Sequence, residues 1–181
     1  MLANEAANRR KQEEEYARQQ ADLQKDFEFE IRQARIDAMK DGIEKELAQN
    51  ELNYDRLKEQ NTRRLRELLD NLADEQMRRE EDANPYLFKR KDENGKWEEA
   101  PGKREERYRE IRATLTIEDL SPEQKAQIEE FGRLAALSFE QANRKGIDNM
   151  LQDVLTYEQQ RSKIAEEYAQ KRNQLYEHNS D

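Results

Sequence analysis

The chain has 181 residues, a formal net charge of −9 and no cysteine, and 41% of its side chains are charged against 34% hydrophobic. Ordinary globular domains run near 25% charged and 45–50% apolar, so there is too little apolar material here for a thick core. That leaves disorder or a thin rod of helices sharing a narrow seam. The missing cysteine excludes disulfides, thiolate zinc sites and cysteine nucleophiles.

Residues 4–82 contain no proline and a single glycine, and they are rich in Glu, Lys, Arg, Gln, Leu and Ala, all good helix formers. The composition predicts one long coiled-coil helix over 4–82, roughly 115 Å from end to end at 1.5 Å per residue. Tyr16, Gln20, Leu23, Phe27, Ile31, Ala34, Ala38 and Gly42 recur at steps of three and four in its first half, close to an eleven-residue period. Past Gly42 the line is Ile43, Leu47, Leu57, Leu65, Leu68 and Leu72, closer to a heptad. Asn50 and Asn61 fall on the same line. At a seam they would fix register at a cost in stability, and if the helix rotates there they would reach water.

Asn84-Pro85 stops the helix, because the residue before proline disfavours helical backbone. Tyr86-Leu87-Phe88 and Lys96-Trp97 flank Asp92-Glu93-Asn94-Gly95. This reads as a small β-hairpin near residues 86–100 with a type I′ turn at Asn-Gly. A lone hairpin is marginal in water, so Tyr86, Phe88 and Trp97 either pack on the chain's own helices or form an exposed patch for a partner. The region 83–121 then holds the hairpin, a short helix with Tyr108, Ile111 and Leu115 on one face, and a linker. Ser121, Pro122 and Gln124 form a strong helix start, with Ser121 as N-cap and Gln124 completing a capping box.

The segment 122–178 reads as a return helix, or as a helix pair broken near Gly146. Its apolar line includes Ala142, Gly146, Ile147, Leu151, Val154, Ile164 and Tyr168. Gly146 repeats the surroundings of Gly42: Ala38, Gly42, Ile43, Leu47 match Ala142, Gly146, Ile147, Leu151, and Asn94 lies midway between the two glycines. A chain folded back near Asn94 brings these small-residue patches level, where they would mark close helix approach. The fold class is therefore all-α, a long helical hairpin or antiparallel coiled coil with a small β-hairpin. The final residues, Asn179-Ser180-Asp181, are expected to fray.

No chemistry-bearing constellation stands out, and the reading is a non-enzyme with no cofactor, no metal and no small-molecule substrate. Glu44 with Glu51 and Asp70 with Asp74 lie at helical spacing, as solvated faces do. The sole histidine, His178, has no convergent partners nearby. Asp92-Glu93-Asn94-Gly95 lacks the ligand pattern of a calcium loop, and no phosphate-binding loop or nucleophile elbow occurs. Interleaved charge of net acidic sign argues against nucleic acid, and no apolar run approaches a membrane span.

The stretch Asp26-Phe27-Glu28-Phe29-Glu30-Ile31-Arg32-Gln33-Ala34-Arg35-Ile36-Asp37-Ala38-Met39, continued by Gly42-Ile43-Glu44-Lys45-Glu46-Leu47 and Leu52-Asn53-Tyr54, resembles coiled-coil regions of phage tail tape measure proteins from prophages of Bacteroides-type gut bacteria. Leu120–Lys125 and Asp153–Arg161 share the likeness, which spans most of residues 20–175. The resemblance implies a structural virion component involved in tail assembly and length determination. It also implies self-association, contacts with other tail proteins, and a place in the virion tail after assembly in the bacterial cytoplasm. The proline-bounded hairpin and the fold-back depart from a fully extended ruler. They suit a folded module cut from a longer protein, or a coiled-coil scaffold that presents its aromatic tip to a client.

Overall fold

The computed structural model describes residues Leu2–His178, so the end expected to fray lies outside the described residues. The chain is all-α apart from one two-stranded sheet. Helix α1 spans Leu2–Asp37, α2 Ile43–Ala83, α3 Lys103–Thr114 and α4 Pro122–His178; strands β1 (Lys89–Lys91) and β2 (Trp97–Glu99) lie between α2 and α3. Helix α2 is the central element, with α1, α3 and α4 all packed against it.

The single helix expected over 4–82 is two helices. The break lies at Gly42, whose φ of 152° and ψ of −178° are nearly glycine-only. Lys45 pairs with Asp41 across the turn at 2.9 Å. Helix α1 then folds back antiparallel on α2. Four ion pairs mark the register: Arg32 with Asp55 at 2.7 Å, Arg63 with Asp26 at 2.7 Å, Arg66 with Asp22 at 2.8 Å and Arg18 with Asp70 at 3.2 Å. Near the turn the two helices enclose a small core of Phe29, Ile36 and Leu52.

The line expected to form the α1 seam therefore faces the wrong way. Leu23, Phe27, Ile31 and Ala38 are exposed, while the face toward α2 carries Arg18, Asp22, Asp26, Phe29, Arg32 and Ile36. Charged residues occupy most of that face, and they become good packing residues only once their partners arrive from α2.

The larger core joins the far half of α2 to the hairpin and α3. Leu69, Ala73, Met77, Phe88, Ile111, Leu115 and Leu120 are buried together, with Leu65, Leu68, Leu72, Leu87 and Tyr108 packed around them. Arg107 clamps Glu80 through two bonds of 2.6 and 2.8 Å, tying α3 to the end of α2. Asn84 caps α2 and accepts from the Tyr86 N–H at 3.1 Å.

The strands are shorter than expected, and the turn differs from type I′. Only Gly95 has positive φ; Asn94 does not. The Asp92 carboxylate instead accepts from the Asn94 and Lys96 N–H groups at 2.9 and 2.7 Å and holds the turn closed. The linker after α3 is an extended Leu115 and Thr116 followed by a single 3₁₀ turn. Ser121 and Gln124 exchange reciprocal bonds of 3.2 and 3.3 Å, the capping box that opens α4.

Helix α4 is unbroken through Gly146. Over its first half it runs antiparallel to α2, with Asn61 donating to the Ile128 carbonyl, Tyr54 stacked on Phe139 at 4.8 Å, and Asn50 donating to Asn143. At Gly146 a Cβ would sit 3.0 Å from Ile43 Cδ1 and 3.1 Å from Glu46 Oε2. Gly146 thus sits where α4 meets the first turn of α2, while Gly42, with open space around it, serves the turn instead.

Candidate interaction surfaces

Three apolar surfaces are exposed, one at the β-hairpin and one on each of α1 and α4. At the tip, Tyr86 is 51% and Trp97 44% exposed, with their rings 4.5 Å apart at a 33° tilt. Strand pairing sets this up: Lys91 lies opposite Trp97, and the Lys89 and Lys91 ammonium groups sit 5.8 and 5.3 Å from the Tyr86 and Trp97 ring centres. Such cation–ring contacts hold the rings in place at the surface. Of the two alternatives for Phe88, packing on the chain's own helices holds: it is 3% exposed and belongs to the large core with Ile111 and Leu115.

The second surface is the outward line of α1, where Tyr16, Leu23, Phe27 and Ile31 are all exposed. The third is the far half of α4, where Ile147, Leu151, Val154, Ile164 and Tyr168 are exposed together with Met150 and Tyr157. Among the described residues nothing packs over these surfaces. Of the other residues expected at the seam, Ile43, Leu47, Leu57, Leu65, Leu68, Leu72 and Ala142 are half-buried along α2 and α4, and Gly146 is buried.

A cleft of about 520 Å³ lies between α1, α2 and α3 near Tyr108. Some of the charged groups at the cleft pair between helices: Asp70 with Arg112 at 2.5 Å and with Arg18, and Arg109 with Glu14 at 2.9 Å. Burial pushes the Tyr108 hydroxyl above its ordinary 10.0, with the Asp70 and Asp74 charges adding to the effect, so it stays protonated at neutral pH. The ion pairs at the cleft tie α1, α2 and α3 together. Among the described residues no group of three acids or histidines is placed to hold a metal ion, and no helix is long and apolar enough to cross a membrane.

Two seam positions carry polar groups with structural consequences. Asn50 and Asn61 both face α4, which settles their orientation away from water. The Asn61 Oδ1 atom is buried without a hydrogen-bond partner. The signal for both was their place on the heptad line. The ion pairs of α1 with α2 had no comparable signal, because their partners lie 23 to 52 residues away.

The chain matches no family model, no curated protein and no solved structure.

Proposed function

We propose that the chain is a non-catalytic coiled-coil module of the kind found in phage tail tape measure proteins. In that role it would act in the virion tail after assembly in the bacterial cytoplasm, associating with itself and with other tail proteins. The observation that carries this reading is the antiparallel alignment of two long helices, α2 and α4, through a thin apolar line interrupted by Asn50 and Asn61. Such a seam gives a rod stiffness and a fixed register while leaving no dry enclosed space for catalysis. The likeness of Asp26–Met39 and Asp153–Arg161 to tape measure coiled coils supplies the biological setting. Mass spectrometry of tails purified from an induced prophage tests it: peptides of this chain should co-purify with tail tubes, and their absence from intact tails would overturn the assignment.

A second reading, a scaffold that binds a client at its tip, is favoured by the half-exposed Tyr86–Trp97 pair. Under it, Tyr86→Ala with Trp97→Ala abolishes client capture and leaves helicity intact. Under the first reading the same pair of changes leaves tail assembly unaffected.

A further inference from the structure

Helix α2 covers α4 only as far as Gly146, where Ile43 marks its first turn. Residues 147–178 of α4 continue beyond it, about 48 Å at 1.5 Å per residue. A helix this long draws most of its stability from a packed apolar face, and this one has such a face with nothing on it.

That face continues the interface already made with α2. Five helical turns take about eighteen residues. Gly132, Phe139 and Gly146, which meet α2, are therefore in phase with Met150, Tyr157 and Ile164. The exposed line Ile147, Met150, Val154, Tyr157, Ile164, Tyr168 alternates steps of three and four, with Arg161 filling the missing position. This is a heptad seam for a second helix.

Charge selects the occupant and its direction. Residues 147–160 carry Asp148, Asp153 and Glu158 and no base, whereas residues 161–172 carry Arg161, Lys163, Lys171 and Arg172 against Glu166 and Glu167. Two copies side by side in parallel would set acid against acid. Turned antiparallel, each acidic half meets a basic half, which both attracts and excludes the parallel form. Tyr157 and Tyr168 are 64% and 73% exposed. Covering about half of each ring in both copies would remove on the order of 400 Å² from water. The aliphatic residues between them carry the total toward the roughly 1,200 Å² at which specific interfaces begin.

We propose that two copies of the chain pair through residues 147–172 of α4 as an antiparallel two-stranded coiled coil, with the two-fold axis near Gln159. Met150 of one copy then lies opposite Tyr168 of the other, Val154 opposite Ile164, and the Arg161 stem lies over Tyr157. The inference rests on the self-association part of the proposed function and not on its virion setting. Loss of the tail assignment would leave the dimer standing, and a monomeric chain would leave the tail proteomics unaffected.

Sedimentation velocity on the full chain at micromolar concentration should give twice the 21.7 kDa monomer mass. Ile164→Glu, at a position exposed in the single chain, should give a monomer while amide protection across α2 is unchanged. Orientation is read by disulfide trapping, since the chain has no cysteine of its own. Val154→Cys and Ile164→Cys should each fail to cross-link alone and should cross-link when mixed. A monomeric parent chain would overturn the proposal. So would cross-linking of either variant with itself, which marks parallel pairing, or dissociation by Phe27→Glu but not by Ile164→Glu, which marks the α1 face as the interface.

Discussion

Gly42→Ala separates the two ways this chain could run from α1 into α2. A Cβ at Gly42 meets nothing within 4 Å, so the substitution tests backbone conformation and not packing. At φ 152° and ψ −178° an alanine is strained by about 1–3 kcal/mol. The chain could escape the strain by merging α1 and α2 into one straight helix, where alanine is a better residue than glycine. Straightening would expose Phe29, Ile36 and Leu52, at about 1.5–3 kcal/mol each, roughly 5–9 kcal/mol together. The strained turn is therefore the cheaper outcome, and the variant keeps its fold with lower stability. For a chain of this size each kcal/mol moves the melting midpoint by about 2–4 °C, so a fall of about 2–12 °C is expected. Thermal melts by circular dichroism measure the fall, and small-angle scattering reports whether the radius of gyration stays at the parent value. A melting point equal to or above the parent's, or a radius that rises toward that of an extended rod, would show that the Gly42 turn does not hold α1 against α2.

Asn61→Leu removes a buried oxygen that has no partner, so a gain of about 0.5–2 kcal/mol by chemical denaturation is expected, even with the bond to the Ile128 carbonyl lost. Phe88→Ala should cost about 3–5 kcal/mol because the ring is in the large core, whereas Trp97→Ala, half-exposed at the tip, should cost about 1 kcal/mol or less; equal losses would show that the tip is part of the core. Gly146→Leu must displace Ile43 and Glu46 and should destabilise by about 1–3 kcal/mol, with a gain refuting the close approach of α4 to α2. Acid should weaken the fold with a defined sign. Burial acts to raise the Asp55 pKa, but hydrogen bonds from Lys58 and Arg32 outweigh it and hold the group below its ordinary 3.8, while the hydrogen bond from Arg107 holds Glu80 below 4.5. Both carboxylates take up protons more readily in the unfolded chain, so the stability they lend is present above those values and is lost as the pH falls through the folded-state values. Melting points should thus decline on acidification below about pH 4, and Arg107→Ala should remove the Glu80 share of the decline.

The helices could be read from the sequence because the signals for them are local. Helix formers fill residues 4–82, Asn84-Pro85 ends α2, and Ser121-Pro122 with Gln124 opens α4; each acts within one turn of itself. Of the two glycines with matched surroundings, Gly146 lies against Ile43 in the first turn of α2. The role of Gly42 was hidden, because a glycine that permits a turn and one that permits close packing look alike in a string of letters. The choice of face on α1 was hidden too. Its line of Tyr16, Leu23, Phe27 and Ile31 is the more apolar one, yet the opposite face packs. Arg63 and Arg66 reach Asp22 and Asp26 only after the chain has turned. Periodicity reports how greasy a stripe is; which stripe meets a neighbour depends on charges brought together from distant parts of the chain, and only the tertiary arrangement decides that.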